Sequence, residues 1–407
     1  MSSLICLSCG SQALEIVLSL GKQPLANALL TEEQLSEPEQ RYPLDLAFCS
    51  ACALAQITEV VSPEILFGEY NYFSSFSSTM VAHAKELADR LIVERQLGPG
   101  SLAMEVASND GYLLQNYVAA GIPVLGIEPA RNVAPAAEAK GVTTLCEFFS
   151  PSVADRLVAD GQRADVLHAN NVMAHVPDIN GIMSGIARVL KPTGVAVIET
   201  PYVRDLVERL EFDTIYHEHL FYYSLTSLER VARRNGLSVV GVERLPIHGG
   251  SLRVFASPSP AEAGPAVDAM LEEEARLGMG TVGYFRGFAA RVDMVCRSLV
   301  ALVGSLKAEG RRLAAYGAAA KGSTLLNACG LGTETFEYVA DRSTHKQGRY
   351  MPGVHLPIVS AERLLADGPD DVLLCTWNFA DEILAQQAEF RARGGRFIIP
   401  VPEPRVV

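Results

Sequence analysis

The sequence predicts an α/β protein in which two Rossmann-like units follow a small cysteine-bearing N-terminal domain. Three observations carry that prediction. Two Cys-x-x-Cys pairs lie between residues 6 and 52. Residues 80–245 alternate strand-like and helix-like stretches joined by Gly-bearing turns. After a run of helical spacing over 265–310, the alternation restarts and continues to the end. Repeated strand, turn and helix is the pattern of a doubly wound parallel sheet.

Length and charge narrow the class. A chain of 407 residues suggests two or three domains. Apolar residues make up 49%, enough for several buried cores. A net charge of −13 argues against a nucleic-acid surface and a polybasic membrane anchor, both of which need basic patches. MSSLICLSCG has no basic segment ahead of a long apolar run, so no signal peptide is expected. No window holds about 18 uninterrupted apolar residues, so no membrane span is expected. The expected location is the cytoplasm, where eight cysteines do not form a disulfide framework.

The N-terminal element, residues 1–70, takes its reading from those cysteines. Cys6 and Cys9 form one pair, Cys49 and Cys52 the other. A CxxC loop puts two sulfurs on one Zn2+, and two loops complete a tetrahedral shell. Four thiolates leave no open position for water, so the zinc is structural. A hairpin over residues 14–48 fills the gap. The alternatives are free buried thiols or a redox pair. A redox CxxC usually sits at a strand-helix junction of a larger unit, and residues 1–60 show none.

The middle element, residues 71–255, opens its sheet with SLAMEVA, followed by the turn SNDG and the helical YLLQNYVAAG. PVLGIEP, ADVLHANNV and GVAVIET are the later strands. Ligands of such sheets bind at the carboxyl ends of the strands. There, Glu128 ends the second strand, where an acid can accept both ribose hydroxyls. The first turn, Glu105 to Gly111, is not a GxGxxG: Ala107 and Asn109 stand where glycines are expected, and Gly111 alone remains. A pyrophosphate needs close backbone approach, whereas S-adenosylmethionine (SAM) has no phosphate and tolerates this loop of Asn109, Asp110 and Gly111. Glu105 or Asp110 can face the methionine ammonium. In CEFF, Glu147 can contact the adenine amino group and Phe148 can cover its face. Asn170 ends the fourth strand beside the sulfonium position. The plain alternatives are an ordinary strand-helix turn and phenylalanines in a core.

The third element, residues 256–407, is read as leading helices and a second Rossmann-like sheet with strands RLAAYGA, FEYVADR, DVLLCTW and RFIIPVP. Two glycine-bearing segments could hold a pyrophosphate. LPIHGGSLR offers His248 and Arg253. YGAAAKGST offers Lys321 and Ser323 at a strand-to-helix turn. The second is not a P-loop, because Lys321 precedes its glycine. A solvated surface lysine is the competing reading of Lys321.

The stretch FDTIYHEHLFYYS (212–224) concentrates acid, base and hydroxyl groups beyond what a core needs. Its HExH is not HExxH. Two ligands on one helical face need i, i+4 spacing, so a catalytic metal is not expected. His217 is read as structural or solvent-facing, and Phe221, Tyr222 and Tyr223 as packing.

Together these motifs resemble the SAM-dependent C-methyltransferases that act on nucleotide-linked deoxysugars. The resemblance runs over nearly the whole chain: CLSCG with CSAC, LGKQPLAN, EYNYFSSFSSTM, EVASNDGYLL, ANNVMAHVPD, ETPY, FDTIYHEHLFYYS, LPIHGGSLR and YGAAAKGSTLLN, in that order. It implies α/β architecture: a small zinc-binding N-terminal domain, a central Rossmann-like SAM methyltransferase domain and a second Rossmann-like C-terminal domain. The family often has Asp-Phe-Phe after the third strand; this chain keeps the charge with Glu147-Phe148-Phe149.

The resemblance also implies site residues and a place in antibiotic deoxysugar biosynthesis. His219 is the first candidate base, with Glu218 and Tyr216 beside it, and His175 and Tyr70 match further active-site positions. The expected substrate is a dTDP-linked 4-keto-6-deoxy sugar methylated at C3 through an enolate. C5 methylation or a GDP- or CDP-linked sugar is the near alternative. An NAD-dependent nucleotide-sugar oxidoreductase and a zinc-bearing binding protein without catalysis are the distant ones. The oligomeric state stays open, a monomer included.

Overall fold

The computed structural model describes residues 4–62, 65–66 and 73–407. Near the N-terminus, β1 (Leu14–Pro24) and β2 (Arg41–Cys49) form an antiparallel hairpin in the register Leu14↔Cys49. β3 (Ala55–Ile57) pairs with β2. The hairpin returns the chain so that Cys49 and Cys52 meet the turn carrying Cys6 and Cys9.

The second sheet is built from β4 (Ala103–Val106), β5 (Val124–Ile127), β6 (Thr144–Leu145), β7 (Ala164–Asn170) and β8 (Leu190–Pro201). The next strand in the chain, β9 (Phe221–Tyr222), leaves this sheet and pairs with β3, completing the N-terminal one. β10 (Leu237–Leu245) and β11 (Ser251–Pro258) return to the second sheet, whose order is β10-β11-β8-β7-β4-β5-β6. Only β11 runs antiparallel to its neighbours. The central strands are buried on both faces, which is why AMEV and VLGI read as continuous rather than alternating runs. The chain reverses direction across the sheet between β4 and β7, so the crevice for a ligand opens at their carboxyl ends.

The third sheet has the order β14-β13-β12-β15-β16-β17. Its strands are β12 (Leu313–Tyr316), β13 (Val339–Asp341), β14 (Ile358–Ser360), β15 (Asp371–Leu374), β16 (Arg396–Ile399) and the antiparallel β17 (Arg405–Val406). Its reversal lies between β12 and β15. The helical spacing ahead of it resolves into helices Pro265–Arg276 and Phe288–Ala308. The longer one buries Phe288, Val292, Val295, Leu299, Val303 and Leu306, a stripe at helical period that packs on β1 and on helix Ala320–Cys329.

The three parts are tied by polar groups as well as by packing. Glu274, fully buried on the first of these helices, accepts from the Leu225 and Thr226 amides, the Thr226 hydroxyl and the Tyr202 hydroxyl. Four donors on one carboxylate offset its burial, since each bond to a charged group is worth about 1.5–3 kcal/mol. Among the described residues no helix is long and apolar enough to cross a membrane.

Candidate active site

The zinc ligands come together first. The Cys6 and Cys52 sulfurs are 3.5 Å apart, those of Cys9 and Cys49 3.6 Å, and all four lie within 4.8 Å of one another. Tetrahedral Zn–S bonds of about 2.3 Å require sulfurs about 3.8 Å apart, so the cluster has the size of the ion. The bond between Cys6 and Cys52 draws the Cys6 thiol down and pushes the Cys52 thiol up, so one proton is shared across that pair.

At the carboxyl end of β4, the chain turns through Ala107 (φ 54°), Asn109 (φ 50°) and Gly111 (φ 75°). Residues 107 and 109 thus adopt the left-handed backbone that glycine would take at low cost. For Ala107 this costs roughly 1–2 kcal/mol, so the surrounding contacts must hold it. Glu128 supplies one. Its two oxygens accept from the Asn109 amide at 2.9 Å and the Ala130 amide at 2.8 Å. The Asn109 side chain accepts from the Ser74 amide, bringing the segment after residue 72 over the loop. Gly111 has no room for a side chain: an added Cβ would lie 3.0 Å from Val142 Cγ2.

Among the described residues, buried acceptors without donors gather at this crevice: Glu105 Oε2, Ser108 Oγ and Asp110 Oδ1 on the first strand and its turn, and Asn170 Oδ1 at the end of β7. Burial first, then Glu128, Asp110 and Glu199, hold the Glu105 carboxyl well above its usual range, and no cation offsets them. An ammonium group brought by a ligand would meet that need, so the residues fit SAM. Asp110 differs in having a cation beside it: Lys140 donates to its Oδ2 at 3.0 Å and to its carbonyl at 2.7 Å, while its Oδ1 stays buried without a donor. Glu147 pairs with Arg156 at 2.7 Å. Phe148 beside it is 52% exposed, leaving its ring face open.

The stretch 212–222 crosses above this crevice. Leu220 donates to the Ala174 carbonyl and accepts from the Ile57 amide, which stitches the stretch between the loop after β7 and the N-terminal sheet. His219 Nδ1 lies 2.8 Å from the Thr214 carbonyl, and Nε2 lies 2.9 Å from the Tyr216 hydroxyl. A carbonyl only accepts, so Nδ1 carries the hydrogen. Nε2 is then the acceptor, and Tyr216 donates to it. The His175 ring stands edge-on to His219, with centroids 4.8 Å apart. Burial pushes His175 down to about 4, so it is neutral at working pH.

Glu218 is buried and receives both bonds of the Asn27 amide, at 2.7 and 2.9 Å. Burial raises its pKa to about 7, with Asn27 opposing. His217 bonds to the Pro43 carbonyl at 3.0 Å and packs on Tyr42, a structural role. Tyr70 lies outside the described residues, as does the side chain of His248.

The expected pyrophosphate cations are engaged elsewhere. Arg253 is buried in β11, with Nε 2.6 Å from Glu199, one terminal nitrogen 2.9 Å from Glu243 and the other 3.1 Å from His83. In this structure its guanidinium pairs with carboxylates of the sheet. Ser323 is buried on the helix after β12. Lys321 is no solvated lysine: its ammonium lies 4.5 Å over the Trp377 ring, in the field of Asp213 and Glu211. A pyrophosphate there would meet two carboxyl groups.

Asn27 and Trp377 carried no role in the sequence reading. Asn27 ends LGKQPLAN, and Trp377 is the chain's one tryptophan; those were the available signals.

Comparison with known proteins decides the class of this arrangement. The C-methyltransferase NovU of Streptomyces niveus is 39% identical over 404 residues, 99% of this chain and 96% of the relative. The chain belongs to that C-methyltransferase family. Three family profiles match along it: a zinc binding domain over residues 6–67, a methyltransferase domain over 80–242 and a C-methyltransferase C-terminal domain over 246–402. A ubiquinone biosynthesis O-methyltransferase of Bartonella bacilliformis is 25% identical over 141 residues, 33% of this chain and 56% of that relative. Among solved structures, the magnesium protoporphyrin IX methyltransferase of Synechocystis PCC 6803 with bound SAH is 15% identical, covering 44% of this chain and 83% of its own, with a TM-score of 0.36. That likeness is too slight to bear on the chemistry. The methyltransferase is thus a SAM-dependent enzyme with a four-cysteine zinc site.

Proposed function

We propose that the enzyme methylates C3 of a dTDP-linked 4-keto-6-deoxy sugar, with His219 as the base. Bound SAM supplies the methyl group from its sulfonium and leaves as S-adenosylhomocysteine. On the protein side, Glu105 faces the methionine ammonium, Glu128 the ribose, Phe148 the adenine and Asn170 the sulfonium region. Asn109 and Gly111 shape the loop.

A sugar carbon becomes a nucleophile only when a neighbouring ketone acidifies its hydrogen. The enzyme must take that proton and stabilise the enolate oxygen. The His219 geometry is the observation that carries the reading. With Nδ1–H fixed on the Thr214 carbonyl, the basic lone pair of Nε2 points at the Tyr216 hydroxyl. An imidazole held in one tautomer and joined to a hydroxyl suits proton abstraction directly or through Tyr216 as relay. His175, neutral beside it, adds no competing charge. Glu218, poised near neutrality, binds a sugar hydroxyl or orients the cluster. Tyr70 remains a candidate donor to the enolate oxygen.

Replacing His219 with Ala tests this. Methyl transfer should fall by about a hundredfold to ten-thousandfold, the range general base catalysis supplies. SAM affinity by calorimetry should stay unchanged. Near-normal turnover would remove His219 as the base.

A further inference from the structure

The two Rossmann-like units share one device and differ in another. In each, the acid ending the second strand holds the first loop. Glu128 accepts from the Asn109 and Ala130 amides; Asp341 accepts from the Ala318 amide at 2.7 Å and the Ser343 amide at 2.8 Å. The difference lies at the reversal point. Between β4 and β7 the buried acceptors of Glu105 and Asn170 wait for donors, whereas between β12 and β15 the chain itself enters: Asp213 has one oxygen bonded there and the other, Oδ1, buried without a donor. Trp377, just past β15, donates from Nε1 to Asp213 Oδ2 at 2.6 Å. Thr324, in the helix after β12, shares its hydroxyl between the Ile215 carbonyl at 3.3 Å and the Ala320 carbonyl of its own helix at 3.4 Å. Lys321 covers the outer face of Trp377 and acts electrostatically on Asp213. The loops beneath are in direct contact, for a Cβ on Gly317 would lie 2.5 Å from Thr376 Oγ1 and one on Gly322 2.7 Å from Cys375 Cβ.

Asp213 and Ile215 flank Thr214, whose carbonyl sets the His219 tautomer. We propose that Trp377, Thr324 and Lys321 are positioning residues for methyl transfer: the crevice of the C-terminal sheet takes the Asp213 carboxylate as its internal occupant, and by gripping both sides of Thr214 it aims that carbonyl at His219. The C-terminal unit is then a brace for the catalytic stretch. This rests on the reading of His219 as the base.

The test is a double-mutant cycle in the full-length, zinc-loaded enzyme. Trp377→Phe keeps the ring under Lys321 and removes only the donor to Asp213. Asp213→Ala removes the acceptor. Each should lower kcat about tenfold, the loss of one bond worth roughly 1.4 kcal/mol, while KM for the sugar nucleotide and SAM affinity stay within about twofold. The double variant should be no slower than the slower single variant, because both remove one contact. Asp213→Asn retains an oxygen for Trp377 and should restore most of the rate. Thr324→Val, which conserves volume, should lower kcat about threefold and serves if Asp213→Ala fails to fold.

Unchanged kcat with a raised KM in Trp377→Phe would overturn the inference and return the crevice to the substrate. Multiplicative losses in the double variant would overturn it too. His219→Ala in parallel separates the two claims. If it still turns over, the base assignment has failed; if it is dead while Trp377→Phe is fully active, the brace alone has failed.

Discussion

Glu218 offers a pH experiment whose sign and size follow from its surroundings. An unfolded glutamate titrates near 4.5, and burial lifts Glu218 to about 7 against the two bonds from Asn27. Below pH 4.5 the group is neutral in both states and carries no penalty. As pH rises the unfolded chain ionises first, so stability is lost through the window from 4.5 to about 7. A difference of roughly 2.5 units at 1.36 kcal/mol each makes the full loss about 3 kcal/mol above pH 7. Glu218→Gln keeps the shape and retains one acceptor for Asn27, yet does not titrate. Urea unfolding of both proteins, followed by circular dichroism at pH 4.5 and pH 8, measures the difference. The variant should gain about 3 kcal/mol on the wild type between those pH values. A difference that is flat with pH would refute the reasoning, because an exposed or well-paired carboxylate has no such window.

Three further outcomes follow from the same geometry. Cys6→Ser should drop zinc content well below one ion per chain and lower the melting temperature; full activity in a zinc-free, folded protein would contradict the structural role. Glu128→Ala should weaken SAM binding about tenfold by calorimetry, through the ribose and through the loosened Asn109 loop, and unchanged affinity would mean the ribose lies elsewhere. Arg253→Met removes the arginine from Glu199, which keeps its 2.9 Å contact with His83, and should cost about 1.5–3 kcal/mol of stability while KM for the sugar nucleotide holds. A raised KM with intact stability would return Arg253 to the substrate.

Local chemistry was legible in the sequence and distant pairing was not. Strands β4, β5, β7 and β8 stand out because burial on both faces demands unbroken apolar runs. The zinc site stands out because its ligand spacing is short. β9, by contrast, is two residues long and pairs with β3 far back in the chain, so no local pattern marks it. The loop at 107–111 lacks glycines yet keeps the conformation glycine favours, because Glu128 holds it from another strand. Arg253 looked free beside two glycines. Its partner Glu199 is legible only once β11 is known to pair with β8 in the register Arg253↔Glu199. Trp377 and Asp213 lie 164 residues apart, and only the docking of the C-terminal sheet on the catalytic stretch brings them together. The Lys321 turn was recognised as a strand-to-helix turn; the seat of its ammonium over the Trp377 ring was not.

The most direct test of the central claim is the product formed from dTDP-4-keto-6-deoxyglucose and SAM in heavy water, recorded by mass and NMR. The account predicts a new methyl signal on C3 of the ring, abolished in His219→Ala. A methyl on a sugar oxygen, or on C5, would contradict the proposed C3 enolate.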